Sequence, residues 1–117
     1  MTVENERKDS QTFKHGTPVL IVLHSPREKC WGVLDEITPA GVFLRGLDLK
    51  AFDDWVRSIV HHEPFIGFGS LLFPMWRVER VSRDEQEGEV PSLYQQAEKR
   101  TGLSIEQLMD DDNGPLF

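Results

Sequence analysis

A single cysteine, a single tyrosine and no long apolar run remove several kinds of chemistry from consideration at once. With only Cys30, an internal disulfide framework is excluded, and a reducing compartment is the natural setting. The simplest reading of Cys30 is a small buried strand residue. No stretch approaches the roughly 18–20 apolar residues needed to cross a bilayer as a helix. The segment Met1–Gln11 is polar and of mixed charge, without the apolar core of a secretory signal, so the expected location is cytoplasmic, away from membranes. Phosphate-cradling glycine loops and dinucleotide fingerprints are missing too. Gly67-Phe68-Gly69 is too short and lacks the strand-to-helix setting such a loop requires.

Positive charge is also in short supply, but unevenly so. The 117 residues carry a net charge of −7. Residues 1–14 are balanced, and so are residues 15–83, where eight basic side chains face eight acidic ones. The whole excess lies in residues 84–117, with Lys99 and Arg100 against nine acids. A neutral central region with an acidic C-terminal third neither demands nor forbids a phosphate-rich partner. These shifts divide the chain into a polar N-terminal arm (1–14), a central domain (15–83) and an acidic linker with short helices (84–117).

What is present is a series of short apolar segments separated by turn signals. Val19–Leu23 is an unbroken run rich in β-branched residues, as expected of a strand buried on both faces. Cys30–Ile37 and Gly41–Leu47 follow, joined by the turn Thr38-Pro39-Ala40-Gly41. Gly32 inside the second strand predicts a bulge or a sharp bend. The stretch from Asp48 to Ile59 has two readings. Phe52, Trp55, Val56 and Ile59 fall at helical spacing, yet Trp55–Val60 also fits a fourth, bulged strand. After a loop with two glycines and a proline, Leu71–Ser82 reads as one last strand, with Pro74 near its start marking an edge or a bulge. The pattern predicts a mainly β protein, a small bent antiparallel barrel of five strands.

Two helix signals close the chain. Ser92 with Gln95 three residues later is a capping-box pattern, and Gly102 suits a C-terminal stop. Ser104 with Gln107 repeats the cap. Leu93, Tyr94, Ala97, Leu103, Ile105, Leu108 and Met109 would then form an apolar face for the barrel or for a neighbouring subunit. The segment from Ala97 to Ile105 has the outline of a helix-turn-helix turn. The helix after it offers Glu106 and three Asp residues where phosphates would lie, so DNA is not an expected partner.

The order of elements resembles the Sm-like small barrels, a superfamily that includes bacterial RNA chaperones. Two stretches carry the resemblance: CWGVLDEITPAGVFLRGL (30–47) and LLFPMWRVERV (71–81). It implies an Sm-like barrel with a short C-terminal helical appendage. The turn Thr38–Gly41 lacks the Asp and Asn that uridine-binding members place there, and the second Sm signature is missing near Met75-Trp76-Arg77. The resemblance therefore extends to the fold and not to the family's base pocket.

Functional candidates follow from these readings. The first expectation is a non-enzymatic binding or assembly module that forms homo-oligomers through an open strand edge, taken as Pro74, Met75, Trp76 and Val78. The alternative is binding of single-stranded RNA. Arg45, Arg57, Arg77 and Arg80 would hold phosphates, with Trp55 and Trp76 to stack bases. A third reading, from a different class, is a metal-dependent hydrolase around His61 and Glu63. Adjacent histidines on an extended chain point apart, so at most one of His61 and His62 could join Glu63. No catalytic triad and no cofactor are expected.

Overall fold

The computed structural model describes residues 13–64 and 67–111, with side chains to Leu108. Most of the polar arm, the apolar side chain expected of Met109 and the end of the acidic tail lie outside these residues. Five strands form one antiparallel sheet: β1 (Pro18–Leu23), β2 (Glu28–Thr38), β3 (Gly41–Asp48), β4 (Gly69–Pro74) and β5 (Val78–Arg83), in the order β4-β3-β2-β1-β5. The outer strands β4 and β5 are joined by a single 3-10 turn, Met75–Arg77. Three residues cannot span a flat sheet, so the sheet is curled until its two edges approach at this corner.

Curling gives the sheet an inner and an outer face, and both are apolar. Val19, Ile21, Leu23, Cys30, Leu34, Val42 and Leu44 form the inner cluster, closed by Leu71, Phe73, Val78 and Val81. On the outer face Trp31, Val33 and Leu47 meet the helices, with Leu20 packed beside them. Neighbouring residues of β1 thus serve opposite clusters, which is why VLIVL is continuous rather than alternating. The expectation of a strand covered on both sides holds.

Helix α1 (Phe52–Val60) settles the ambiguous stretch. Phe52, Trp55, Val56 and Ile59 are its buried residues, one stripe at helical spacing, and Asp53 and Asp54 sit favourably at its positive end. Trp31, with no exposed surface, is the centre of an aromatic group. Its ring lies 5.1 Å from Phe52, 5.7 Å from Trp55 and 5.4 Å from Phe68. The contacts with Phe52 and Phe68 are edge to face, a packing that adds about 1 kcal/mol per pair beyond area burial.

The two C-terminal helices, α2 (Leu93–Thr101) and α3 (Ile105–Asp111), close over the same outer cluster through Ala97, Ile105 and Leu108. Both capping boxes form. Ser92 Oγ accepts from the Gln95 amide while the Gln95 side chain accepts from the Ser92 amide. Ser104 and Gln107 repeat the exchange. Gly102 ends α2 at φ 78°, a left-handed conformation that favours glycine. The apolar face read from the sequence is thus covered by this chain's own sheet.

Two expectations need correction. The bulge falls at Asp35, where the β2–β3 register steps from Leu34 to Glu36, whereas Gly32 stays in register opposite Gly46. The stretch Leu71–Ser82 is two strands rather than one. Pro74 ends β4, and the chain turns through Met75–Arg77 before β5 begins at Val78. Proline cannot donate to a ladder, and here it marks the stop and not the start.

Candidate functional site

Edge strands are where a small sheet is incomplete. Among the described residues β4 pairs only with β3, and β5 only with β1. The two edges differ in character. β5 carries Glu79, Arg80 and Arg83, charges of the kind that discourage unwanted strand pairing. β4 reads Gly-Ser-Leu-Leu-Phe-Pro and has no charged residue. Its Leu72 is 52% exposed, and just beyond it stand Met75 at 38% and Trp76 at 65%. The unguarded edge and the apolar corner are continuous.

Arg77 builds that corner. Its guanidinium donates to the carbonyls of His24 (3.2 Å) and Pro26 (2.7 Å) and to the Glu28 carboxylate (3.2 Å). The His24 amide in turn donates to the Arg77 carbonyl at 2.9 Å. The β1–β2 turn is thereby fastened to the start of β5, and Trp76 is held beside the His24 ring at 6.4 Å, edge to face.

The edge residues expected from the sequence, Pro74, Met75, Trp76 and Val78, therefore do not form one edge. Pro74 belongs to β4, Met75 and Trp76 to the connecting turn, and Val78 to β5 at the opposite end of the sheet. The edge character lies on Ser70 and Leu72 of β4, which the sequence reading left out. Their signal was available in retrospect: six residues of strand without a charge.

The residues named for RNA are dispersed. Trp55 is 4% exposed and stacked on Phe68 in the outer cluster, so its faces are closed to bases. Arg57 lies on α1 beside Asp54 (3.0 Å). Arg77 is committed to the corner just described. Arg45 sits half-buried in β3 opposite Ser70, and Arg80 is exposed on β5. Trp76 alone of the two tryptophans offers an open ring. As for metal, among the described residues no group of three or more His, Cys, Asp or Glu side chains is close enough to hold an ion. His61 and Glu63 are exposed at the C-terminal end of α1, where their backbone amides donate to the Arg57 and Ser58 carbonyls.

Asp84, the first residue of the acidic linker, is buried. One carboxylate oxygen accepts from the Trp31 indole N–H (2.9 Å) and the Tyr94 amide (2.8 Å), and the other from the Leu93 amide (2.9 Å). With Ser92 and Gln95, this satisfies every free donor at the start of α2. No local sequence rule announces it, because its partners lie up to 53 positions away.

Cys30 faces the inner cluster at 5% exposure, and its thiol pKa is pushed up to about 11 by burial first, then by Asp48 and Glu28, with Arg77 opposing. The unfolded thiol ionises near 9.0. Between those values the unfolded chain releases a proton that the folded one keeps, so stability falls as pH rises from 9.0 towards 11. Tyr94, raised by burial and by Glu98, acts in the same direction. Urea titrations across this range should show a steeper loss for the natural protein than for Cys30→Ala, and thiol labelling at pH 8 should be slow until urea is added. Rapid labelling of the folded protein would contradict the buried, neutral thiol.

Comparison with known proteins finds no family model that matches the chain, no curated protein of significant sequence similarity and no solved structure of significant structural similarity. The fold and the site define a class, a curled five-stranded antiparallel sheet with helices over its outer face and one unguarded edge.

Proposed function

We propose that the protein is a non-enzymatic, Sm-like binding and assembly module that works as a homo-oligomer through its strand edges. The observation that carries this reading is the β4 edge, uncharged, unpaired on one side and continuous with exposed Leu72, Met75 and Trp76. An edge of this kind left in water is a template for another strand, and pairing it between copies is the cheapest way to fill it. The strand order and the one-turn link between the edges support the small-barrel comparison. RNA binding draws less support, because Trp55 is buried and Arg77 is committed to the β1–β2 turn. In this reading the protein acts in the cytoplasm and needs no cofactor.

Size-exclusion chromatography with light scattering, at tens of micromolar, should give a mass above that of one chain. Leu72→Lys places a charge on the exposed side of the edge, where it disturbs neither cluster. It should shift the mass to that of a single chain with an unchanged circular dichroism spectrum. A natural protein that runs as a clean monomer would sink the proposal.

A further inference from the structure

A groove of about 330 Å³ opens beside the fastened β1–β2 turn, lined by Arg27, Glu28, Lys29, Asp48, Leu49 and Lys50. Its volume lies at the lower end of those that hold small ligands. Three cations converge on it from separate places in the chain: the β1–β2 turn, the first residues of β2, and the 3-10 turn that follows β3. All three lie in the charge-balanced stretch 15–83, away from the acidic C-terminal third.

The two acids in the lining are already engaged. Glu28 accepts from Arg77, and Asp48 accepts from the Lys50 backbone amide at 2.8 Å, capping the 3-10 turn. The basic groups are less constrained. Arg27 reaches Glu79 at 3.4 Å in an exposed pair, an arrangement that contributes little and yields readily to a competing anion. Lys29 and Lys50 have no ion-pair partner among the described residues. Their backbones are nonetheless fixed, one by its strand pairing with β1 and the other by the Asp48 cap. Leu49 adds an apolar wall to the same groove.

We propose that this groove is a binding site for a small organic oxyanion, a molecule with a phosphate or carboxylate head and an apolar body. Arg27, Lys29 and Lys50 take the head, and the body lies against Leu49. The backbone under the cations is held before the ligand arrives, so binding has to order only their side chains. The site is independent of the β4 edge and stands or falls separately from the assembly reading.

The test is a titration of the full-length, isotope-labelled protein at constant ionic strength, followed by amide resonances. Inorganic phosphate, phenyl phosphate and benzoate serve as probes, the last two separating a phosphate head from a carboxylate. Saturable shifts confined to residues 27–29 and 48–50 are expected, with phenyl phosphate or benzoate binding at least tenfold more tightly than inorganic phosphate. Lys29→Ala with Lys50→Ala should weaken that binding at least tenfold, Lys50→Arg should retain it, and Lys99→Ala on α2 should change nothing. Shifts that grow without saturation, or that appear equally around Lys99, would mean screening of surface charge and would overturn the proposal. Equal affinity for inorganic phosphate and phenyl phosphate would remove the apolar wall from it.

Discussion

Replacing Gly32 by alanine should destabilise the protein by about 3 kcal/mol, at the upper end of what overpacking costs. Gly32 and Gly46 stand directly opposite each other in β2 and β3. A Cβ on Gly32 would lie 2.5 Å from the Gly46 Cα and closer still to the Arg45 carbonyl oxygen. Non-bonded carbon atoms prefer about 3.5–4.0 Å. Both obstacles are backbone, so no rotamer change relieves the contact, and β2 and β3 must separate there. The melting temperature should fall by roughly 15 °C for a chain of this size. Gly46→Ala should behave alike, since its Cβ would meet the Trp31 carbonyl oxygen and lie 2.9 Å from the Gly32 Cα. Gly69→Ala is the control: the nearest atom to its Cβ is a Leu71 methyl at 3.9 Å, and the effect should stay within about 1 kcal/mol. Should Gly32→Ala fail to fold, Gly46→Ala and the control still decide the question by urea denaturation. A Gly32→Ala protein as stable as the natural one would show that the curl does not depend on this close approach.

The same glycine illustrates what could be read in advance. Gly32 inside an apolar strand signals a place where a side chain would be in the way, but a sequence cannot distinguish an extra residue from a close crossing. That distinction depends on Gly46, which becomes its partner only when β2 and β3 pair. Local devices were fully legible. The caps at Ser92 and Ser104 act within three residues, and their hydrogen bonds form as the spacing requires. Val19–Leu23 was legible because burial on both faces leaves no polar position to disguise it. The stretch 52–60 was ambiguous because Phe, Trp, Val and Ile suit a strand as readily as a helix face, and the deciding factor is tertiary: Trp31 on the outer face needs cover.

Function-bearing residues were harder to read for a related reason. Arginine and tryptophan are what a nucleic-acid surface needs, and they are also what a small protein uses to tie its loops and fill its core. Trp55 and Arg77 took the structural role, and only packing reveals it. The β4 edge was hidden because Leu71–Ser82 reads as a single strand. A one-turn 3-10 helix made of Met, Trp and Arg carries no glycine or repeated polar signal to announce itself. Once the stretch divides, its halves land on opposite edges, and β4 is the half without a charge.

Asp84→Ala should cost about 3 kcal/mol, because it strands three donors, one of them buried and two half-buried. Two are the first amides of α2, and the third is the indole of Trp31, the most deeply buried large side chain of the outer cluster. The carboxylate also sits at the positive end of the helix, where a negative charge is favoured. Asp84→Asn retains one acceptor oxygen and should lose less, about 1–2 kcal/mol, since its amide nitrogen cannot serve the donors that the second oxygen held. A double-mutant cycle with Trp31→Phe separates the parts. Trp31→Phe removes the indole donor, so the penalty for Asp84→Ala measured in that background should shrink by about 1 kcal/mol or more, leaving the two helix amides as the remainder. Urea denaturation followed by far-ultraviolet circular dichroism reads all four proteins without relying on the altered tryptophan. If the two substitutions proved additive, the hydrogen bond between sheet and linker would contribute nothing measurable. Asp84 would then act on α2 alone, and the helices would be held to the sheet only by Ala97, Ile105, Leu108 and their apolar neighbours. Non-additivity makes the carboxylate the polar tie between the two halves of the fold.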